Sequence, residues 1–328
     1  MRRPNRRSVV LGLSAALCSF GATPTFADTG YPNRTIRLVV PFAPGGGGDV
    51  IGRFYAQKLS DSLRVPVIVD NRPGASAMIG TDLVAKAQPD GYTLLLTVPL
   101  LVQTPHLYRK IPYDPFNDLV PVAELNTSPL WFASSATKND AGSLKEFVTK
   151  AKAKPNDFNF ASIGMGSSGH VLGQALNDAN QLNMVHVAYK GSSPAMLALM
   201  AGEVSAVFLD YVTIKPQIAS GKIRLLAVTG TQRSELTPEV PTLTELGYKG
   251  FEGKVWGGIF APAKTPKEVV SLLDRETRKI LAMPETIAKW RELGYDTGNK
   301  TQAQFAEEIR KDSARWGALI KSAGVTLD

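Results

Sequence analysis

Residues 35–63 read TIRLVVPFAPGGGGDVIGRFYAQKLSDSL, which places a strand, a glycine-rich loop and a helix in immediate succession. The β-branched run at residues 35–41 predicts the strand, and the apolar periodicity of residues 51–63 predicts an amphipathic helix. Short apolar runs and helical stretches alternate in the same way along the rest of the chain. This alternation predicts an α/β fold.

The same kind of pattern predicts the remaining strands and helices along the chain. Further strands are predicted at residues 65–71, 92–98, 129–135, 158–163, 184–189, 206–210, 222–229 and 254–262. Further helices are predicted at residues 79–87, 143–153, 170–179, 194–201, 265–282 and 301–324. Three of these helices begin with capping signals, which are Ser143 with Glu146, Thr265 with Pro266 and Glu268, and Thr301 with Gln304.

The pattern G-x-V-[IL]-G occurs at residues 48–52 and again at residues 169–173. Each copy follows a predicted strand and a glycine-rich loop, and each begins a predicted helix. We interpret the pattern as one structural device used once in each of two domains. Chance similarity between glycine-rich turns is the alternative.

Residues 1–27 are predicted to form a signal peptide, because arginines lead into an apolar stretch and small residues precede residue 28. The apolar stretch is shorter than the ~20 residues that span a bilayer. Residues 6–10, RRSVV, also resemble a twin-arginine signal, and export by either route remains open. We therefore expect the mature chain in the periplasm.

Composition argues against several classes of protein. The net charge of +8 falls to +4 without residues 1–27, whose four arginines have no acidic partner, and no basic stripe remains for nucleic acid. The single cysteine, Cys18, lies in the predicted signal peptide. The three histidines lack metal-ligand spacing, and no G-x-S-x-G motif is present. We expect no metal, no cofactor and no enzymatic activity.

The glycine-rich loop at residues 41–49 is the first candidate binding site. Its four consecutive glycines leave backbone N–H groups uncovered at a predicted helix N-terminus, where the helix dipole favours an anion. A tight turn alone would need only one or two glycines, so four indicate that a ligand or a backbone segment approaches closely. Asp49 is expected to cap the helix or to brace the loop.

A second candidate loop, residues 164–169, matches G-x-G-x-x-G between a predicted strand and a predicted helix. A dinucleotide site would also need an acidic residue at the end of the next strand, but that strand ends with Tyr189 and Lys190. We therefore favour a carboxylate as the ligand, held by Ser167, Ser168 and free N–H groups. His170 follows this loop and is expected to contact the ligand, whereas His186 is expected in the core.

Lys190 and Asp210 are two further candidates for contact with a ligand. Lys190 belongs to a third donor-rich strand-to-helix loop and either pairs with a ligand anion or is solvated. Asp210 ends a buried-looking strand, where it either holds a cationic or hydroxyl group of a ligand or caps a helix.

Trp131 and Trp256 lie in extended segments that we expect to cross between domains. Core packing explains both tryptophans, although a crossing strand would also border the cleft.

At these residues the chain resembles the Bug family, the solute receptors of tripartite tricarboxylate transporters. Several separate motifs carry the resemblance, in order along essentially the whole mature chain: YPNRTIRLVVPFAPGGGGD, VDNRPGASAMIGTDLVAKAQPDGYTLL, GMGSSGH, VAYKGSSPAMLALMAGEV, GKIRLLAV and WGGIFAPAKTP.

The resemblance implies a two-domain α/β fold of the periplasmic-binding-protein type (type II-like), with a ligand cleft between domains that two crossing strands join. The expected domains are residues 28–128 with 254–328 and residues 129–253. Recognition of a carboxylate by loops of both domains is implied. The expected ligand-binding residues are Phe42, Ala43, Pro44, Gly45, Gly46, Val98, Pro99, Leu100, Gly164, Met165, Gly166, Ser167, Ser168, His170, Tyr189, Lys190, Gly191 and Asp210.

The sequence thus predicts a monomeric extracytoplasmic solute-binding protein that captures a small carboxylate and delivers it to subunits of a tripartite tricarboxylate-type membrane transporter. The carboxylate remains open between a di- or tricarboxylate, an aromatic acid and an acidic amino acid. Two alternatives remain, an exported ligand sensor that feeds a signalling partner and an exported enzyme acting on a small organic acid.

Overall fold

The computed structural model describes residues 30–326, so the predicted signal peptide lies outside the described residues. The strands are β1 Ile36–Val40, β2 Val67–Asn71, β3 Thr93–Thr97, β4 Leu119–Ser128, β5 Trp131–Ser135, β6 Asn159–Ser162, β7 Val185–Ala188, β8 Ala206–Leu209, β9 Ile223–Val228, β10 Val255–Pro262 and β11 Asp296–Thr297. The helices are α1 Gly47–Leu63, α2 Met78–Ala85, α3 Leu100–Gln103, α4 Leu144–Ala153, α5 Ser168–Ala179, α6 Ser192–Ala201, α7 Tyr211–Ile218, α8 Lys267–Ala282, α9 Pro284–Glu292 and α10 Gln302–Ser322.

The strands form two mixed sheets. The first has the order β11-β4-β10-β3-β1-β2, and the second has the order β7-β6-β8-β5-β9. In each sheet a strand that is followed by a glycine-rich loop, β1 or β6, pairs in parallel with a strand on either side. The remaining pairings are antiparallel. This architecture confirms the predicted α/β fold. We call the first sheet with α1–α3 and α8–α10 the first lobe, and the second sheet with α4–α7 the second lobe.

The chain passes between the sheets twice. The first passage is the short link between β4 and β5, and the second is the longer return from β9 to β10. The two passages are hydrogen-bonded to each other, because Leu130 N donates to Thr229 Oγ1 and Thr229 N donates to Leu130 O, both at 2.9 Å. The passages lie close to the predicted domain boundaries, which themselves stay a prediction.

The repeated glycine pattern has the same role in both lobes. A Cβ atom at Gly52 in α1 would lie 3.1 Å from Val40 Cγ2, and one at Gly173 in α5 would lie 2.4 Å from ring atoms of Phe160. Each glycine therefore lets a helix pack closely on the strand that precedes it. The interpretation of one device used twice is confirmed, and it fixes the N-termini of both helices beside the ends of β1 and β6.

Three long elements were not predicted, and each contains or begins with a proline. Pro121 lies within β4, Pro216 lies within α7, and Pro284 is the first residue of α9. Proline normally argues against the interior of a strand or helix, which hid the first two. β4 tolerates Pro121 next to a register shift in its pairing with β10.

The three capping signals have different outcomes. The Thr301–Gln304 box is complete, with both reciprocal hydrogen bonds formed. At α4 the Ser143 hydroxyl accepts from Glu146 N as predicted, but the Glu146 carboxylate accepts from Gly142 N instead of from Ser143 N. The Thr265 prediction is wrong, because α8 begins at Lys267, Pro266 occupies the N-cap position, and the buried Thr265 hydroxyl has no hydrogen-bond partner.

This contrast predicts opposite effects of one substitution at two threonines. Thr301→Val removes the cap of α10 and should lower the free energy of unfolding by about 1 kcal/mol. Thr265→Val removes a buried, unpaired hydroxyl at equal volume and should leave stability unchanged or raise it. Urea unfolding of the two variants beside the wild type tests this, and equal losses at both positions would contradict the assignment of the caps.

Candidate functional site

A cavity lies between the two sheets, and both lobes line it. Its volume is about 80 Å³. Most of its wall is apolar. The lining residues are Phe42, Gly48, Ile51, Leu96, Val98, Pro99, Asn126, Ser128, Leu130, Ile163, Ser168, Gly169, Ser192, Phe208, Leu209, Asp210, Val255, Trp256, Gly257 and Tyr295.

The cavity collects the carboxyl ends of parallel strands from both sheets, which is where ligands bind in open α/β sheets. The helices that follow these strands consequently begin at the cavity. Gly48 belongs to the first turn of α1, Ser168 and Gly169 begin α5, and Ser192 begins α6. Three helix N-termini therefore direct their partial positive charge towards one space, which favours a bound anion.

The four glycines of the first loop admit side chains from the second lobe. A Cβ atom at Gly46 would lie 2.4 Å from Ser192 Oγ, and one at Gly47 would lie 1.8 Å from Asp210 Oδ2. Gly47 N donates to Ser192 Oγ at 3.1 Å. Only Gly45 among the four has a positive φ, of 81°. The predicted close approach is therefore confirmed, and what approaches in this structure is the other lobe.

Asp49 braces this loop and does not cap the helix. Its carboxylate accepts from Gly45 N, from Arg53 Nε and from Asn71 Nδ2, all at 3.0 Å. Burial opposes ionisation of Asp49, but the hydrogen bonds from Arg53, Gly45 and Asn71 outweigh it and lower the pKa of the carboxyl. The ionised Asp49 thus holds the glycine loop from the side away from the cavity.

The predicted residues of this first region divide into two groups. Phe42, Val98 and Pro99 line the cavity. The others do not: Ala43 makes an interlobe hydrogen bond, Pro44 and Gly45 are exposed, Gly46 meets Ser192, and Leu100 is buried within α3.

The second loop reaches the cavity through its last predicted serine. Ser168 Oγ accepts from Gln103 Nε2 of the first lobe at 2.9 Å. The preceding residues lie behind it: Ser167 is fully buried, and a Cβ atom at Gly166 would lie 2.0 Å from Leu107 Cδ1. Gly164 and Met165 are also outside the lining. Of this loop, Ser168 alone among the predicted residues borders the cavity.

His170 does not line the cavity, and its contact with a ligand stays a prediction. Its ring stacks on that of His186 with centroids 3.7 Å apart and planes 13° from parallel. His170 Nδ1 accepts from Gly166 N at 2.8 Å, and His186 Nε2 lies 2.7 Å from Ser162 Oγ. The pair thus holds the second loop in place. Burial lowers the pKa of His170 to about 4, and burial and the neighbouring ring lower that of His186 to about 3.

The third loop contributes a serine in place of the predicted residues. Tyr189 packs against the core of the second lobe, and the Lys190 side chain is exposed. The Lys190 carbonyl accepts from Ala43 N at 2.9 Å, and Gly191 has a φ of 134° that turns the chain into α6. The residue after this turn, Ser192, is the one that lines the cavity.

Asp210 lies in the cavity wall at the end of β8. Its Oδ2 atom accepts from the Tyr295 hydroxyl of the first lobe at 2.9 Å, and no donor of the described residues reaches Oδ1. Burial raises the pKa of the Asp210 carboxyl, an effect that the neighbouring Thr213 and the hydrogen bond from Tyr295 oppose. Burial and the adjacent carboxylate raise the pKa of Tyr295, so its hydroxyl keeps its proton and remains a donor.

Several residues that line the cavity were not predicted from the sequence, because the strand or helix that positions them was not predicted. Asn126 and Ser128 lie in β4, and Tyr295 follows α9. Trp256 lines the cavity with its ring while Nε1 donates to Asp312 Oδ2 at 2.8 Å. Trp131 is a core residue whose Nε1 donates to Thr237 Oγ1. One sequence signal could have indicated Asn126. It is a polar residue that lies just before the segment at residues 129–135, which was expected to cross between the domains.

Besides the Lys215–Glu292 pair, which joins α7 to α9, four hydrogen bonds join the two lobes next to the cavity. They join Ala43 N to Lys190 O, Gly47 N to Ser192 Oγ, Gln103 Nε2 to Ser168 Oγ, and Tyr295 OH to Asp210 Oδ2, at 2.9 to 3.1 Å. The structure is therefore the closed arrangement.

Within residues 30–326, no group of three or more His, Cys, Asp or Glu side chains is placed to hold a metal ion. In the same part of the chain, no helix combines the length and the apolar character needed to cross a membrane.

The chain is similar to known proteins along nearly its whole length. Residues 51–325 match the family described as "Tripartite tricarboxylate transporter family receptor". A Pseudomonas sp. (strain P51) relative, "UPF0065 protein in tcbD-tcbE intergenic region", is 37% identical over 317 residues, which are 96% of this chain and 94% of the relative. "Protein BugT" of Bordetella pertussis is 37% identical over 331 residues, covering 98% of each.

Solved structures share the fold. A protein of R. palustris with adipate has a TM-score of 0.87 and 31% identity, covering 90% of this chain and 99% of that one. The periplasmic binding protein BugD has a TM-score of 0.85 and 33% identity, with 90% and 99% covered. MatC from Rhodopseudomonas palustris with bound malate has a TM-score of 0.84 and 28% identity, with 88% and 100% covered.

The stacked histidines predict a loss of stability in mild acid. Their pKa values of about 4 and 3 lie below the 6.5 of an unperturbed histidine, so the unfolded chain binds more protons than the folded chain as the pH falls below 6.5. The free energy of unfolding should therefore be highest above that pH and fall steadily towards pH 4. Urea unfolding between pH 7.5 and 4 measures this slope.

The variant His186→Phe tests the origin of the slope. It keeps a ring for His170 to stack on but removes one titrating group, so its unfolding free energy should fall less between pH 6.5 and 4. The unfolding free energy of the variant at pH 7.5, compared with that of the wild type, measures the loss of the contact with Ser162 separately. A slope equal to that of the wild type would show that the histidine pair does not cause the acid sensitivity.

Proposed function

This chain belongs to the receptor family of tripartite tricarboxylate transporters and is a solute-binding protein, and we propose that it encloses one small carboxylate in the cavity between its lobes and delivers it to the transporter. The observation that carries the proposal is the convergence of the N-termini of α1, α5 and α6 on a closed interlobe cavity. Those termini supply fixed donors for one carboxylate, whose hydrogen bonds are strengthened by its charge.

The cavity wall indicates the rest of the solute. Phe42, Ile51, Leu96, Phe208 and Trp256 form an apolar surface that suits the carbon skeleton of a small acid. Related structures support this choice, since one holds adipate and another holds malate. The carboxylate is accordingly expected at the helix N-termini and the skeleton against the apolar wall.

We propose binding without chemical turnover. Among the described residues that line the cavity there is no histidine, cysteine or lysine, and the serines there have no adjacent base. Ser192 Oγ accepts from Gly47 N and from Thr213 Oγ1, which uses its acceptor capacity without activating it. A serine held in this way serves to position the lobes and the solute.

Capture follows from the two tied passages between the sheets. The passages at Leu130 and Thr229 allow the lobes to rotate as rigid bodies around a narrow connection, which is the hinge closure of two-domain binding proteins. The four interlobe hydrogen bonds form only on closure, so the closed face is the form that membrane subunits of the transporter would read. Residues 1–27 would direct a monomeric chain to the periplasm for this purpose.

A panel of organic acids tests the proposed solute class. The mature protein, refolded after denaturation to remove bound solute, is heated with mono-, di- and tricarboxylates, aromatic acids and amino acids. An acid at about a hundred times its Kd should add roughly 2.7 kcal/mol to the free energy of unfolding and raise the melting temperature. If no acid on the panel raises it, the carboxylate assignment is wrong.

Gly47→Ala tests whether closure is needed for capture. The added Cβ would overlap Asp210 Oδ2, and relieving such overpacking costs about 1–3 kcal/mol, so affinity for the best acid of the panel should fall about 10- to 100-fold. Gly142→Ala is the matched control, because its Cβ would meet only Glu146 Oε2 at 3.4 Å. Calorimetry measures both variants, and an unchanged affinity for Gly47→Ala would contradict capture by closure.

A further inference from the structure

Two acceptor oxygens in the cavity wall have no donor in the protein. They are Asp210 Oδ1 and Asn126 Oδ1, and no N–H or O–H group of the described residues reaches either atom. Asn126 is 3% exposed, and both residues line the same cavity. A buried acceptor without a donor is unfavourable, so a solute that supplies the donor removes that cost on binding.

The geometry of Asp210 decides which of its oxygens is free. The Tyr295 hydroxyl occupies Oδ2 at 2.9 Å, and the raised pKa of Tyr295 keeps that hydroxyl a donor. Thr213, in the first turn of α7, lies near enough to the Asp210 carboxyl to lower its pKa, but its hydroxyl donates to Ser192 Oγ at 3.1 Å. Oδ1 is left as the buried oxygen without a hydrogen bond of its own, and a solute that reaches it would supply the donor.

Asn126 lies in β4 and lines the same cavity from the first lobe. It pairs with Gly257 across β4 and β10, and a Cβ atom at Gly257 would lie 2.5 Å from Asn126 Oδ1. The missing side chain at Gly257 thus makes the space that the Asn126 amide occupies.

We propose that the solute carries a hydrogen-bond donor, a hydroxyl or an ammonium group, in addition to its carboxylate, and that Asp210 selects for this donor. The inference rests on the proposed function and narrows its solute class. The helix N-termini provide donors for the carboxylate, whereas Asp210 provides an acceptor, so the cavity is complementary to a molecule that has both. A second carboxylate placed against Asp210 would instead bring another acceptor to Oδ1, which would stay without a donor.

Matched acids test the selection on the wild-type protein. Calorimetry compares succinate with malate and aspartate, and glutarate with 2-hydroxyglutarate and glutamate, so that each series differs only in hydrogen, hydroxyl or ammonium. Hydrogen bonds to a charged group contribute about 1.5–3 kcal/mol, so the substituted acid of the better series should bind at least about tenfold more tightly. The hydroxyl and ammonium members show which donor the site prefers.

Asp210→Asn should remove the preference for an ammonium group. Tyr295 donates to the amide oxygen of the variant, which turns the amide NH2 towards the solute, where it opposes an ammonium donor but can donate to a hydroxyl. The ammonium acids should lose at least about tenfold in affinity, and the hydroxyl and unsubstituted acids should lose less. Asp140→Asn is the matched control, because Asp140 is an exposed partner of Arg224 and should leave every affinity unchanged.

The outcomes separate the two proposals. If succinate or glutarate binds as tightly as its substituted relatives, the selection by Asp210 is overturned while carboxylate capture stands. If no acid of either series or of the wider panel binds, both are overturned together. The wild-type comparison holds even if Asp210→Asn destabilises the fold, which its melting temperature without solute would show.

Discussion

The contact between Gly46–Gly47 and the second lobe is the constraint on which the rest of the site depends. Gly47 N donates to Ser192 Oγ, and Asp210 lies where any side chain at residue 47 would have to be. Because these two residues have no Cβ, the N-terminus of α1 can come within hydrogen-bonding distance of α6. The enclosure of the cavity, the position of Asp210 and the access of its free oxygen to a solute all follow from that approach.

The fold was largely predictable because its two halves repeat one unit. Strand, glycine-rich loop and helix could be recognised at residues 35–63 and again around residues 158–179, and G-x-V-[IL]-G marked the close helix packing in both. Elements that break a local rule were missed. β4 contains Pro121 together with buried polar residues such as Glu124, whose partner Lys300 is 176 residues away in sequence. A pattern within a short stretch of sequence cannot indicate a contact between residues so far apart in the chain.

The candidate site was predictable as a set of loops but not as a set of atoms. Phe42, Val98, Pro99, Ser168 and Asp210 line the cavity, and each follows or ends a parallel strand. The position at a strand end pointed to Asp210, and the glycine-rich loop pointed to Ser168, whereas Phe42, Val98 and Pro99 were expected from the family resemblance. His170 sits in the same kind of position but turns back to stack on His186. The direction of a side chain depends on what packs behind it, and Tyr295 comes to Asp210 from a region that no motif marked.

The hydrogen bonds between Leu130 and Thr229 make the two passages bend as one ribbon. Two segments that are hydrogen-bonded to each other resist twisting more than two separate segments would, so they favour bending as the motion between the lobes. A solute too long for the cavity would then hold Gly47 away from Ser192 and leave their hydrogen bond unmade.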